Sequence, residues 1–177
     1  MTFVEVQVQR LGIDAATRTP VVVLREVEGE RSLPIWIGPA EANAIAIRLT
    51  GMTTPRPLTH DLLVTMLERL GGAVVLVDIQ GLEQGTYMAE ITVETQPDRV
   101  EFDARPSDAI VLALSHDAPV RVREDLLGRA EITLMDSPLD QAAPDTQGTS
   151  VVEPISGQEL ADYLKTLRPE DFGRFQP

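Results

Sequence analysis

The 177-residue chain contains no cysteine, only 4% aromatic residues and a single lysine, Lys165, among its 15 basic residues. The lack of cysteine excludes disulfides and every redox or metal site that depends on a thiolate. No apolar run approaches the roughly 20 residues of a membrane-spanning helix, and the N-terminus lacks the pattern of a signal peptide. We therefore expect a cytoplasmic protein that has no membrane partner.

Basic residues are also few relative to acidic ones. The 15 basic and 28 acidic residues give a net charge of −13 and a pI of about 4.5. An acidic surface repels phosphate, which disfavours broad, non-specific binding of nucleic acid. Because every base outside the C-terminal tail is an arginine, each is suited to bidentate contacts with an anion. The charge therefore leaves room for a local phosphate site.

The composition changes along the chain and predicts three regions. Residues 1–130 carry the alternating apolar patterns of a compact domain. Residues 131–155 form an acidic stretch with few large apolar side chains, which predicts a flexible linker. Residues 156–177 are predicted to form a short helical tail, because Ser156 and Glu159 have the spacing of a capping box. We expect a tail helix over 157–167 whose leucine face docks on the domain or on a neighbouring subunit.

Apolar periodicity within residues 1–130 predicts an α+β fold with a mixed, mostly antiparallel sheet of about seven strands and three main helices. The predicted helices begin near Pro39, Thr59 (as N-cap) and Pro106, and the first ends at Gly51. The predicted strands are 3–8, 21–24, 32–37, 73–79, 86–95, 100–103 and 119–123.

The start of the second helix carries the first polar cluster, Arg56, His60 and Asp61. Helical spacing places His60 on the inward face and Asp61 on the outward face. The inward core stripe is predicted as Leu63, Val64, Met66, Leu67 and Leu70. A neutral imidazole there can act as a base or a metal ligand; a hydrogen-bonded core histidine is the structural alternative.

The second cluster, Asp103, Arg105, Ser107 and Asp108, spans a strand end and the following helix start. Helix N-termini and arginine bind anions, and paired carboxylates such as Asp103 and Asp108 can hold Mg²⁺ or Mn²⁺. The structural alternative is ordinary N-terminal helix residues, with Arg105 paired to Asp103 or Asp108. Glu41 either lines the same region or pairs with Arg48.

Four ordered segments resemble the bifunctional nuclease domain family. They are Leu33-Pro34-Ile35-Trp36-Ile37-Gly38-Pro39-Ala40-Glu41-Ala42, Pro55-Arg56-Pro57-Leu58-Thr59-His60-Asp61-Leu62, Gly85-Thr86-Tyr87 with Ala89, and Asp103-Ala104-Arg105-Pro106-Ser107-Asp108-Ala109-Ile110. The resemblance covers about residues 1–130. It implies an α+β domain that forms homo-oligomers (dimers or higher) and acts on both DNA and RNA.

Two functional hypotheses follow. The first is a nuclease, metal-assisted or not, in which His60, Asp61, Asp103 and Asp108 form the catalytic centre. Substrate phosphate would be held by Arg56 and Arg105, with Ser107 and Glu41 assisting. The second is a non-catalytic oligomeric module that recognises a small anionic ligand or a protein partner.

Overall fold

The computed structural model describes residues 1–15 and 17–128. Seven strands and three α-helices follow one another along this part of the chain. The strands are β1 (Phe3–Ile13), β2 (Pro20–Glu26), β3 (Ser32–Trp36), β4 (Gly72–Glu83), β5 (Thr86–Thr95), β6 (Arg99–Ala104) and β7 (Val120–Arg123). The helices are α1 (Pro39–Thr50), α2 (Thr59–Arg69) and α3 (Pro106–His116).

The strands form one sheet in the order β3-β2-β1-β7-β4-β5-β6. All neighbouring strands are antiparallel except β4 and β7, which run parallel. The mixed, mostly antiparallel sheet and the three helices confirm the predicted α+β fold.

The core lies between one face of the sheet and α3. Ala109, Ile110 and Val111 of α3 are at most 1% exposed, which agrees with the almost wholly apolar sequence of this helix. The helix contacts β4 and β5 beneath it and α1 and α2 on its flanks. This packing brings the N-terminal ends of α2 and α3 close to α1.

The helix ends follow the local sequence in part. Pro39 is the first residue of α1, and Gly51 ends it in the left-handed conformation (φ 63°), as predicted. The prediction of Thr59 as N-cap of α2 is wrong, because Leu58 occupies that position. The Asp61 carboxylate accepts a hydrogen bond from the Leu58 backbone N–H at 2.7 Å. A residue of the helix itself therefore provides the partner for this N–H group at the start of α2.

The predicted core stripe of α2 is also wrong in part. Val64 and Leu67 pack against the core, but the side chains of Leu63, Met66 and Leu70 are 48%, 53% and 81% exposed. The helix lies at the margin of the helical layer, where it contacts α3 and β4 along a narrow stripe. The rest of its apolar surface faces away from the described core.

The predicted linker (131–155) and helical tail (156–177) lie outside the described residues. Of the helices in the described ranges, none has the length and apolar character needed to cross a bilayer.

Candidate functional site

A cavity of about 330 Å³ lies between α1 and the first turns of α2 and α3. Its charged and titratable lining residues come from all three helices: Glu41, Arg48, His60, Asp61, Arg105 and Asp108. Ile47, Leu58 and Val111 supply apolar wall. Because helix N-termini carry partial positive charge, this position favours an anionic group.

A histidine–carboxylate pair joins α2 to α3 across the cavity. His60 Nε2 lies 3.0 Å from Asp108 Oδ1, although the two residues are 48 positions apart in the sequence. Their side chains are 22% and 29% exposed, so both are sheltered and still accessible to a ligand. The prediction that His60 faces inward is confirmed.

The protonation state of Asp108 fixes the role of the imidazole nitrogen that faces it. Burial raises the pKa of Asp108, but hydrogen bonds from Arg105 and His60 outweigh burial, so the pKa lies below its ordinary value. An ionised carboxylate only accepts hydrogen bonds, so His60 Nε2 must be the donor. In the neutral imidazole Nδ1 then carries the lone pair, and this atom makes no hydrogen bond within the described residues.

Arg105 binds two carboxylates at the rim. Its Nε and Nη2 donate to Asp108 at 2.7 and 3.2 Å, and its Nη1 donates to Glu41 at 2.8 Å. Of the two predicted partners for Arg105, the structure shows Asp108. Glu41 lines the cavity and pairs with Arg105, not with Arg48.

A second ion pair closes the α1–α2 side of the cavity. Arg48 donates to Asp61 Oδ1, while Asp61 Oδ2 caps the start of α2. The predicted outward orientation of Asp61 is therefore wrong, because its side chain folds back over the first turn. Sequence reasoning considered Arg48 only as a partner of Glu41; the available signal was its position on the helix face that also carries Glu41.

The charges that line the cavity do not balance. Three carboxylates (Glu41, Asp61 and Asp108) face two guanidinium groups, which leaves one negative charge when His60 is neutral. An entering phosphate must compete with these carboxylates for Arg105 or Arg48. A proton on the imidazole or a bound cation would offset part of the repulsion.

Three of the predicted site residues do not line the cavity. Asp103 lies on β6 next to Ala104, which packs on the core, so its side chain is on the opposite sheet face. Ser107 is buried at 6% exposure, and Arg56 lies exposed in the loop before α2. Residues 1–15 and 17–128 contain no group of three or more His, Cys, Asp or Glu that could hold a metal ion.

The chain is similar to a bacterial protein along nearly its whole length and to plant proteins along a shorter part. An uncharacterized protein of Mycobacterium tuberculosis is 34% identical over 168 residues, which cover 95% of this chain and 97% of the relative. Bifunctional nuclease 2 of Oryza sativa subsp. japonica is 30% identical over 122 residues, or 67% of this chain and 38% of the relative. Bifunctional nuclease 2 of Arabidopsis thaliana is 28% identical over 137 residues, or 75% and 42%. The matched region is less than half of each plant protein.

The bifunctional nuclease domain matches residues 22–135, which include both polar clusters and all six charged and titratable residues of the cavity. The bacterial relative extends the similarity along nearly the whole chain. This chain therefore belongs to the bifunctional nuclease domain family.

Proposed function

We propose that this protein is a nuclease that cleaves phosphodiester bonds of DNA and RNA at the cavity between α1, α2 and α3. The observation that carries the proposal is the His60–Asp108 pair, 3.0 Å apart and beside the guanidinium of Arg105. The plant relatives named bifunctional nucleases support the reaction class. Together these features supply a base, a group that orients it and a ligand for phosphate.

His60 acts as the general base in this proposal. Asp108 holds Nε2–H, so Nδ1 can take a proton from an attacking water as that water's oxygen bonds to phosphorus. The bond from phosphorus to the leaving oxygen of the sugar (ribose in RNA, deoxyribose in DNA) then breaks, and the protonated imidazole or solvent returns a proton to that oxygen. Asp108 remains ionised and stabilises the imidazolium that forms.

Arg105 binds the non-bridging oxygens of the phosphate. Its side chain is 64% exposed, so it can exchange its contact with Glu41 for substrate without leaving Asp108. Arg56, exposed in the loop before α2, is proposed to contact a neighbouring phosphate of the strand. Ser107 and Asp103 lie away from the cavity lining, and their roles stay predictions.

Metal assistance by Mg²⁺ or Mn²⁺ is a separate part of the proposal. The excess carboxylate charge in the cavity is its physical motive, because a divalent cation would offset repulsion of the phosphate. Titration of each metal into chelator-treated protein tests it. A rate that rises and saturates with metal supports assistance, and a rate unchanged by chelation argues for the histidine alone.

The experiment is cleavage of end-labelled single-stranded DNA and RNA by protein whose activity co-elutes with the chain. His60→Ala is expected to lower the cleavage rate by about 10²–10⁴-fold. His116→Ala is the matched control, since His116 lies at the other end of α3 with Nδ1 near the Leu112 carbonyl. Equal cleavage by wild type and His60→Ala would overturn the site.

The alternative is a non-catalytic module for a small anionic ligand. The cavity volume of about 330 Å³ favours it, because this is the lower end of small-molecule pockets and suits one nucleotide-sized ligand. Thermal unfolding with nucleoside phosphates and no metal tests it, because a ligand that binds only the folded state raises the melting temperature. Metal-dependent turnover without any such stabilisation would reject this alternative.

We also propose a cytoplasmic location and a homo-oligomeric assembly. The family resemblance supports the assembly. Sedimentation velocity over a range of protein concentrations tests the assembly, and cell fractionation tests the location.

A further inference from the structure

Strand β6 ends the sheet within the described part of the chain, so one of its edges has no neighbour there. At the turn that precedes it, Thr95 N–H donates to the Asp98 carbonyl at 2.7 Å, which marks a hydrogen-bonded pair of the antiparallel ladder. The backbone N–H and C=O groups of successive residues point alternately to the two edges of a strand. The N–H and C=O groups of Arg99, Glu101 and Asp103 therefore point to the free edge.

Within residues 1–15 and 17–128, no helix covers the apolar, helix-side face of β6 completely. Val100 and Phe102 sit opposite the buried Val93 and Ile91 of β5, so they share the face that carries the core. Yet Val100 is 40% and Phe102 50% exposed, because α3 lies over β4 and β5 and does not reach the edge. A free strand edge with exposed apolar side chains is a template for pairing with another chain.

Helix α2 reaches the same end of the sheet and exposes apolar side chains of its own. Leu67 of α2 and Val93 of β5 both lie against Gly72, and Val93 is the register partner of Val100. The exposed apolar side chains of α2 and the preceding residue are Leu58, Leu62, Leu63, Met66 and Leu70. We call them, together with Val100 and Phe102, the α2–β6 surface.

The extent of this surface suits a protein interface. Its seven side chains are 40–81% exposed. The largest apolar patch on an ordinary monomer covers about 300–600 Å², and a stable dimer buries about 800 Å² on each partner. Seven such side chains, together with the backbone edge of β6, approach the dimer value.

We propose that a second copy of this chain covers the α2–β6 surface by antiparallel pairing of the two β6 strands. The proposal rests on the homo-oligomeric assembly proposed above and names the surface that forms it. The backbone geometry selects a register centred on Glu101. Only this register joins all three outward-pointing residues of each strand in hydrogen-bonded pairs.

The same register matches side chains. Arg99 of one copy lies opposite Asp103 of the other, which places opposite charges together on one face. Val100 lies opposite Phe102 on the helix side, an aromatic–β-branched pair of the kind that stabilises sheets. The two α2 helices then flank a shared apolar floor. The register also brings like charges together, because Glu101 lies against its own copy at the two-fold axis.

The test is the oligomeric state of the full chain, measured by sedimentation across micromolar concentrations. Wild type is expected to be a dimer. Phe102→Glu and Met66→Glu each place a charge in the surface and are expected to weaken the dimer at least tenfold. Val27→Glu is the matched control, because Val27 is 49% exposed but follows β2, beyond four intervening strands. It is expected to leave the dimer unchanged.

Glu101→Gln tests the register itself. Removal of the like-charge contact is expected to tighten the dimer several-fold at low salt, with a smaller gain at high salt. Weakening of the dimer by Glu101→Gln would contradict this register.

Hydrogen exchange separates the candidate occupants of the surface. Pairing with a second copy predicts that amides of Arg99, Glu101 and Asp103 become more protected as the protein concentration rises through the range in which the dimer forms. Protection that does not change with concentration would assign the surface to another segment of the same chain and overturn the proposal. A monomeric wild type would overturn the surface and the assembly together, whereas an oligomer insensitive to Phe102→Glu and Met66→Glu would overturn the surface alone.

Discussion

Two arginine–aspartate pairs in this molecule have nearly the same local geometry and different surroundings. Arg121 donates to both oxygens of Asp78 at 2.7 Å each, and Arg105 donates to both oxygens of Asp108 at 2.7 and 3.2 Å. The Asp78 pair ties β4 to β7, with the guanidinium 5.2 Å from the Phe3 ring centroid. It lies on the sheet face opposite the core, and neither residue lines the cavity.

The Asp108 pair differs in what else it touches. Asp108 also contacts His60, and Arg105 also contacts Glu41, so the bidentate Arg105–Asp108 pair belongs to a four-residue cluster at the mouth of the cavity. A paired arginine and carboxylate are therefore insufficient to indicate a functional site. The histidine, the adjoining cavity and the surplus carboxylate distinguish the Asp108 pair from a structural one.

An Asp→Asn substitution in each of the two pairs is expected to give the largest difference in turnover. Asp108→Asn is expected to lower nuclease turnover by about 10²–10⁴-fold, because an amide no longer fixes the Nε2–H tautomer or stabilises the imidazolium. Single-turnover cleavage of labelled substrate measures this effect. Retention of wild-type turnover would reduce Asp108 to the structural role of Asp78.

Asp78→Asn is expected to act on stability and to leave turnover per folded molecule unchanged. Loss of the charge on the two Arg121–Asp78 hydrogen bonds should lower the free energy of unfolding by about 1–3 kcal/mol. The low end is expected because the Arg121 side chain is 39% exposed. Urea unfolding measures it. A turnover defect in fully folded Asp78→Asn protein would remove the distinction between the two pairs.

Arg105→Lys is expected to have a smaller, binding-specific effect. Lysine keeps the charge but loses the planar fork, so KM should rise about tenfold while kcat changes little. Steady-state cleavage kinetics separate the two constants. Arg121→Lys serves as the control and should leave KM unchanged. A fall in kcat at constant KM would move Arg105 from substrate binding to chemistry.

The smallest effect concerns acid stability. Because the folded-state pKa of Asp108 is lowered, its contribution to stability is present above the unfolded pKa and is lost as pH falls through the folded pKa. The stability gap between wild type and Asp108→Asn should therefore narrow only below about pH 4, near the ordinary pKa of aspartate. A gap already closed at pH 5, in urea titrations at fixed ionic strength, would contradict the lowered pKa.

Local sequence patterns predict much of this fold, and part of the site. The bounds of β5 and the ends of α1 follow from alternation and from Pro39 and Gly51. Periodicity also places His60 inward. It overstates the core stripe of α2, because apolar spacing shows which face is hydrophobic but not how far the sheet extends beneath it. The exposed side of that helix becomes visible only once α2 is placed at the edge of the layer.

The contacts of the site depend on long-range packing that no local pattern contains. Glu41 meets Arg105 across 64 positions, and His60 meets Asp108 across 48, because α3 draws α1 and α2 together. The chemical type of each residue is enough to name most members of the cluster as candidates from the sequence, but it does not predict which of them are in contact. Asp103 has the right chemistry as well, but strand alternation turns its side chain to the other sheet face.

The central claim is that His60 transfers a proton during phosphodiester cleavage, and chemical rescue of His60→Ala tests it most directly. The account predicts that added imidazole restores single-turnover cleavage by His60→Ala in a concentration-dependent way and has no such effect on wild type or Asp78→Asn. Full activity of His60→Ala without imidazole would contradict it, as would an inactive, folded His60→Ala protein that no imidazole concentration rescues.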